Sequence, residues 1–166
     1  MFNDSIQSVI CVTVEQPITA AVGIGADVRY ESAIEEGEQG MVVGNHSQIE
    51  ANLSYDDVIS NDYAGLILPG GSAPETVRLY DTAVKIAHDF MMANLPVAAI
   101  CHGQQVLITA GVLEGRKCTS YASIRDDIKN AGAEYTDAPL VVDGNLVTSR
   151  CPQDLPFFVK AFLELI

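Results

Sequence analysis

Short apolar runs recur along this chain, separated by stretches long enough for one helix, and that spacing constrains the fold most. Gln7–Val14 and Asp27–Ser32 read as strands. Ala64–Leu68 and Pro96–Ile100 are brief apolar runs bounded by Gly or Pro, the mark of strands covered on both faces. Between these two, Asp81 is placed to cap a helix reaching about Asn94, with Ala83, Ile86, Ala87, Phe90 and Met91 on its inner face. Ser54 to Asp57 has the look of a capping box opening a short helix. Ile124–Ala131 is a further short helix closed by Gly132, and Asp154 to Ile166 is a last amphipathic one. Pro139–Ser149 carries Asp143-Gly144 between apolar stretches, a hairpin signal. Strand–helix alternation of this kind predicts an α/β fold, a mainly parallel sheet with helices on both faces.

The length of 166 residues suits one domain spanning 1–166, with a real core. Charge bounds the partners. Nine Lys and Arg against 22 Asp and Glu give a net charge of -13, which repels phosphate backbones and anionic bilayers. Neither nucleic acid nor a membrane is therefore expected as a partner. Apolar runs such as Ile18–Ala26, broken by Thr19, are too short to span a bilayer, and Met1–Ser8 has no secretory character. Four Cys without disulfide-framework spacing suggest reduced thiols and a cytoplasmic setting. The acidic stretch Glu31–Glu38 reads as a solvated loop.

Two strand ends stand out as places for chemistry, since open α/β sheets bind ligands at the carboxyl ends of their strands. At Leu68-Pro69-Gly70-Gly71 a strand runs into paired glycines, whose N–H groups suit an oxyanion; a tight turn needing positive φ is the plainer reading. At Ala98 to Gln105 a strand turns abruptly into a helix through Cys101-His102-Gly103, the layout of a nucleophile elbow with Ala99 as the first small residue. A thiolate there gains from the helix dipole, which predicts a lowered pKa, although a Cys ending a strand is often simply core. His102 adjoins the thiol and is a candidate base or ion-pair partner, an ordinary His at a helix N-terminus being the plainer reading. His88 reads as a surface residue, and His46 as a loop residue of either kind. Cys11, Cys118 and Cys151 read as structural. No Cys or His pair has zinc-like spacing, Gly23-Ile-Gly25 lacks the third glycine of a dinucleotide fingerprint, and no phosphate loop occurs, so neither a metal nor a cofactor is expected.

Taken in order, LILPGG-SAPETVRL, PVAAICHG-Q, GVLEGRKCTSY, IRDDIKNAGAEY and VVDGNLVTSR-P-DL resemble the ThiJ/PfpI family, which contains PfpI-type intracellular proteases and the Parkinsonism-associated deglycase. The likeness covers about Gly44 to Ile166, leaving 1–43 divergent. It implies a flavodoxin-like sandwich with Cys101 as nucleophile. It also implies that His102 works with it, and that Glu75 reaches His102 from a neighbouring subunit of a homo-oligomer, a dimer or larger. Gly70 and Gly71 would supply oxyanion amides, and Tyr121 would match a pocket tyrosine. The implied activity is cysteine-dependent hydrolysis of peptides, or deglycase or glyoxalase chemistry on small reactive aldehydes and their adducts.

Two departures from the family pattern stand out. A Glu shortly after the first strand normally hydrogen-bonds the sulfur; here the segment is shortened and offers Glu15, so either Glu15 substitutes or the acid is missing. Cys151 stands where close relatives often have His, either a plain substitution or a resolving thiol. The alternative function is a non-enzymatic thiol sensor of oxidative stress or a chaperone-like protein of the same family. A glutaminase domain or a conventional triad needs a His late in the chain, and none follows His102.

Overall fold

The computed structural model describes residues 8–12, 29–34, 41–44, 47–50 and 53–166, with side chains from Ser54 onward. Seven strands form the main sheet: β1 (Ser8–Val12), β2 (Arg29–Ile34), β5 (Leu53–Ser54), β6 (Gly65–Leu68), β7 (Val97–Ile100), β10 (Leu140–Asp143) and β11 (Leu146–Ser149). Their order is β10-β11-β7-β6-β1-β2-β5, and every neighbouring pair is parallel except β10 with β11. Two small sheets accompany it, β3 (Met41–Gly44) antiparallel to β4 (Ser47–Glu50), and β8 (Lys117–Cys118) parallel to β9 (Glu134–Tyr135).

The alternating sides of β7 explain why the sheet is covered twice. Val97 and Ala99 join a core with Leu66, Leu68 and Leu146 against α2 (Asp81–Met92) and α3 (Gln104–Thr109). Ala98 and Ile100 turn the other way, onto Phe158 and Phe162 of α5 (Leu155–Leu163). This is the expected flavodoxin-like α/β arrangement. All four β7 side chains are buried, so the strand reads as a continuous apolar run. Among the described residues, no helix is long and apolar enough to cross a membrane.

The predicted inner face of α2 is the observed one: Ala83, Ile86, Ala87, Phe90 and Met91 are buried. Its start differs. Tyr80 is the N-cap, without a side-chain bond, and Asp81 is the first helical residue, where its carboxylate faces the helix dipole. Its end is a Schellman motif built on Asn94 at φ 55, with Leu95 N–H donating to Phe90 O at 2.9 Å and Asn94 N–H to Met91 O at 3.2 Å. Ser54 does cap, accepting from the Asp56 N–H at 3.3 Å, but the element it opens is a single 3-10 turn, Tyr55–Asp57. The hairpin forms with Asp143 opposite Leu146, so its turn is Gly144-Asn145, one residue later than the Asp-Gly signal. The acidic stretch is corrected in part: Glu31 lies within β2, which runs on to Ile34, and Glu35, Glu36 and Glu38 lie outside the described residues.

Candidate active site

The site is built where β6 and β7 end side by side. Cys101 leaves β7 at φ 65, a conformation in which an L residue is strained, and its N–H is held by Ser149 O at 3.0 Å. Its carbonyl accepts from Tyr121 N–H at 2.9 Å. Two glycines make the bend possible by close approach. A Cβ on Gly103 would lie 2.2 Å from Leu68 O, and one on Gly70 would lie 2.5 Å from Cys101 Cβ. The elbow and the Pro69-Gly70-Gly71 loop are thus pressed together with no room for a methyl group on either.

Gln104 locks this junction from below. Fully buried, its side-chain amide donates toward Ala99 O (3.1 Å), Thr119 O (2.7 Å) and Ser149 O (3.2 Å). Three chain segments that meet at the elbow therefore share one donor group. Replacing it by an apolar side chain of similar length removes these bonds from buried carbonyls. Gln104→Met is expected to lower stability by about 1–3 kcal/mol in urea denaturation; a midpoint equal to wild type would contradict this.

The Cys101 sulfur lies 3.2 Å from His102 Nδ1, and His102 Nε2 lies 2.9 Å from Ser123 Oγ. The His102 ring also rests on that of Tyr121, with centroids 5.2 Å apart. Backbone N–H groups of Gly71 and His102 point at the sulfur. The sulfur faces a cavity of about 250 Å³ lined by Pro69, Gly70, Gly71, Ile100, Cys101, Pro152 and Leu155. Such an arrangement offers a thiol, an adjacent imidazole and two amide donors converging on one small pocket.

The expectation of a lowered Cys101 pKa is corrected. Burial pushes the thiol above its ordinary range, outweighing the Gly71 and His102 amides, and the neighbouring Cys151 pushes it the same way. The six residues of α3 supply only a short dipole. Cys118, fully buried, is pushed up to about 11, burial being the main cause. Alkylation of Cys101 by iodoacetamide is thus expected to be slow at neutral pH and to rise about tenfold per pH unit toward alkaline pH. Peptide mapping checks this, with Cys118 staying unmodified while the fold persists. A rate already at its plateau at neutral pH would contradict it.

The sequence-predicted residues divide clearly. Cys101, His102, Gly70, Gly71 and Tyr121 come together. Gly70 contributes space beside the sulfur, and Tyr121, 45% exposed, lies at the open side of the His102 ring. Glu75 does not join them within one chain: it is exposed on α1 (Ala73–Val77). Glu15 and His46 lie outside the described residues. Among the described residues, the hydrogen-bond partners of the Cys101 sulfur are the His102 ring and backbone amides, not a carboxylate. Nor does any group of three or more His, Cys, Asp or Glu among them suit a metal ion. Ser123 was not anticipated; its position two residues after Tyr121 is the one hint the sequence held. The Arg150–Asp154 pair was also unforeseen. Arg150 Nε donates to Asp154 Oδ2 at 3.0 Å, and this guanidinium holds the buried Asp154 carboxyl below its usual range. Cys151 donates to the same carboxylate oxygen at 3.5 Å.

Comparison with known proteins agrees with this layout. The family model for the DJ-1/PfpI family matches residues 12–165. The chain is 48% identical over 138 residues to Deglycase PfpI of Pyrococcus furiosus, covering 82% of this chain and 83% of that one. It is 44% identical over 121 residues to Protein/nucleic acid deglycase 2 of Escherichia coli, covering 72% of this chain and 70% of that one. Among solved structures, a two-domain protein from Anabaena variabilis with DJ-1/ThiJ/PfpI-like and ferritin-like domains superposes with a TM-score of 0.83 at 32% identity, covering 95% of this chain and 47% of that chain. The chain thus spans about half of that two-domain protein. With the elbow, the glycine loop and these likenesses in agreement, the chain belongs to the DJ-1/PfpI family.

Proposed function

We propose that this chain is a cysteine-dependent deglycase or hydrolase acting on small reactive aldehydes, their hemithioacetals and adducts, or peptides. The observation that carries the reading is the Cys101 sulfur, held at a strained φ of 65 with His102 Nδ1 at 3.2 Å and two backbone amides beside it, facing a 250 Å³ pocket. In this reading Cys101 Sγ attacks a substrate carbonyl carbon as His102 takes the thiol proton. The Gly71 and His102 amides receive the developing oxyanion, and water then releases the product. Ser123 and Tyr121 hold the imidazole in place. The deglycase names of two relatives favour turnover over the non-enzymatic sensor reading. The test is incubation of the purified chain with the hemithioacetal of methylglyoxal and N-acetylcysteine, and separately with a peptide amide. Decay of one of them faster than in a protein-free control is expected; no acceleration of either overturns the reading.

Three further parts belong to this proposal. The chain forms one domain, works in a reducing cytoplasm, and assembles with copies of itself so that Glu75 of one meets His102 of another. The support for the last is that Glu75 is exposed on α1, immediately after the glycine loop. Light scattering is expected to give an oligomer, and Glu75→Gln to lower turnover roughly tenfold with Tm unchanged. A monomer that turns over substrate, with Glu75→Gln silent, would contradict shared sites.

A further inference from the structure

A second free thiol, Cys151, directly precedes Pro152 of the pocket wall. Strands β7 and β11 run parallel, with Ile100 opposite Ser149. One residue further on, Cys101 N–H still bonds Ser149 O, which sets Cys101 beside Arg150 and one residue short of Cys151. Neighbouring strands lie about 4.8 Å apart and rise about 3.3 Å per residue, so an offset of one residue gives a Cα separation of roughly 6 Å, within the roughly 4.4–6.8 Å that a disulfide spans. Both cysteines are half-buried free thiols, and the residue following Cys151, Pro152, lines the cavity with Cys101. Cys151 also lies close enough to influence the Cys101 thiol electrostatically.

We propose that Cys101 and Cys151 form a two-thiol site for hydroperoxides, in which Cys151 resolves an oxidised Cys101 as a reversible disulfide. The first step is attack of the Cys101 sulfur on a peroxide oxygen as His102 takes the thiol proton: the O–O bond breaks, an S–O bond forms, and the departing oxygen receives that proton and leaves as water or an alcohol. Sulfur is oxidised to the sulfenic acid and the peroxide is reduced. The Cys151 sulfur then attacks the sulfenic sulfur; an S–S bond replaces the S–O bond, and the leaving hydroxide takes the Cys151 proton to give a second water. Two thiols and one peroxide thus give one disulfide, and a thiol reductant reverses the change. In the resting protein the Cys151 S–H is occupied by Asp154 Oδ2, which Arg150 also engages, so the thiol is held in a fixed place.

The test is intact-mass and peptide mass spectrometry of the purified full chain after treatment with a small excess of hydrogen peroxide. The expected product is a species lighter by two hydrogens, with a linked Cys101–Cys151 peptide pair, restored by dithiothreitol. In Cys151→Ser the same treatment is expected to carry Cys101 on to the sulfinic acid, which dithiothreitol does not reverse. Wild-type protein with Cys101 sulfinic acid and free Cys151 would overturn the proposal, whatever the variant does. The proposal rests on the pocket but not on turnover: it is read by mass, so a chain inactive toward aldehydes can still form the disulfide, and an active one can fail to.

Discussion

Cys101→Ala and Cys101→Gly are expected to abolish turnover together and to differ from each other in stability. Loss of the sulfur removes the covalent step, and losses of roughly 10³-fold or more follow when a nucleophile is deleted. That corresponds to about 4 kcal/mol of transition-state stabilisation. The stability effect has a separate origin. At φ 65 the Cβ of any L residue crowds its own backbone, at a cost of about 1–2 kcal/mol. Both variants lose the packing of the sulfur, but only glycine is relieved of the Cβ. Cys101→Gly is therefore expected to unfold at higher temperature than Cys101→Ala by a few degrees, the reverse of their ranking at an ordinary helical or extended position. Equal melting temperatures would mean that the bend is not strained. The elbow would then store no energy for function.

The other large effect is expected at Gly103. Its absent Cβ would sit 2.2 Å from Leu68 O and 3.0 Å from Pro69 O, backbone atoms that no rotamer change can move aside. Gly103→Ala must separate the elbow from the glycine loop and disturb the β6–β7 ends together. A cost of about 3 kcal/mol is expected, a fall of roughly 6–12 °C in Tm for a domain of this size. Gly70→Ala makes the informative companion, because its nearest conflict is with the Cys101 side chain itself. Its main effect should fall on turnover, through displacement of the sulfur. Calorimetry and activity on the pair separate the two roles. A Gly103→Ala protein as stable as wild type would show that the loop yields freely.

What the sequence displayed and what it concealed follow from how local each signal is. The buried face of α2 was legible because Ala83, Ile86, Ala87, Phe90 and Met91 repeat with the helical period. The elbow was legible because small residues crowd around Cys101 at a strand end. The strands β8 and β9, two residues each, carry no period at all and form only because β8 lies beside the hairpin that Arg116 ties to Asp143 at 2.7 Å. Ser123 and Gln104 were hidden for a similar reason. Their partners are 21 and up to 45 residues away in the chain, so no spacing announces them. The direction of the Cys101 pKa was misjudged because a local motif reveals nearby amides and a dipole, whereas desolvation depends on the packing of the whole pocket.

The central claim is that the Cys101 sulfur bonds covalently to substrate carbon, and acid-quenched mass spectrometry during turnover tests it directly. The account predicts an adduct of substrate mass on the peptide carrying Cys101, appearing within the time of one turnover and absent from Cys101→Ser. Sustained turnover with Cys101 unmodified at every quench time, or an adduct on Cys118 or Cys151 instead, would contradict it.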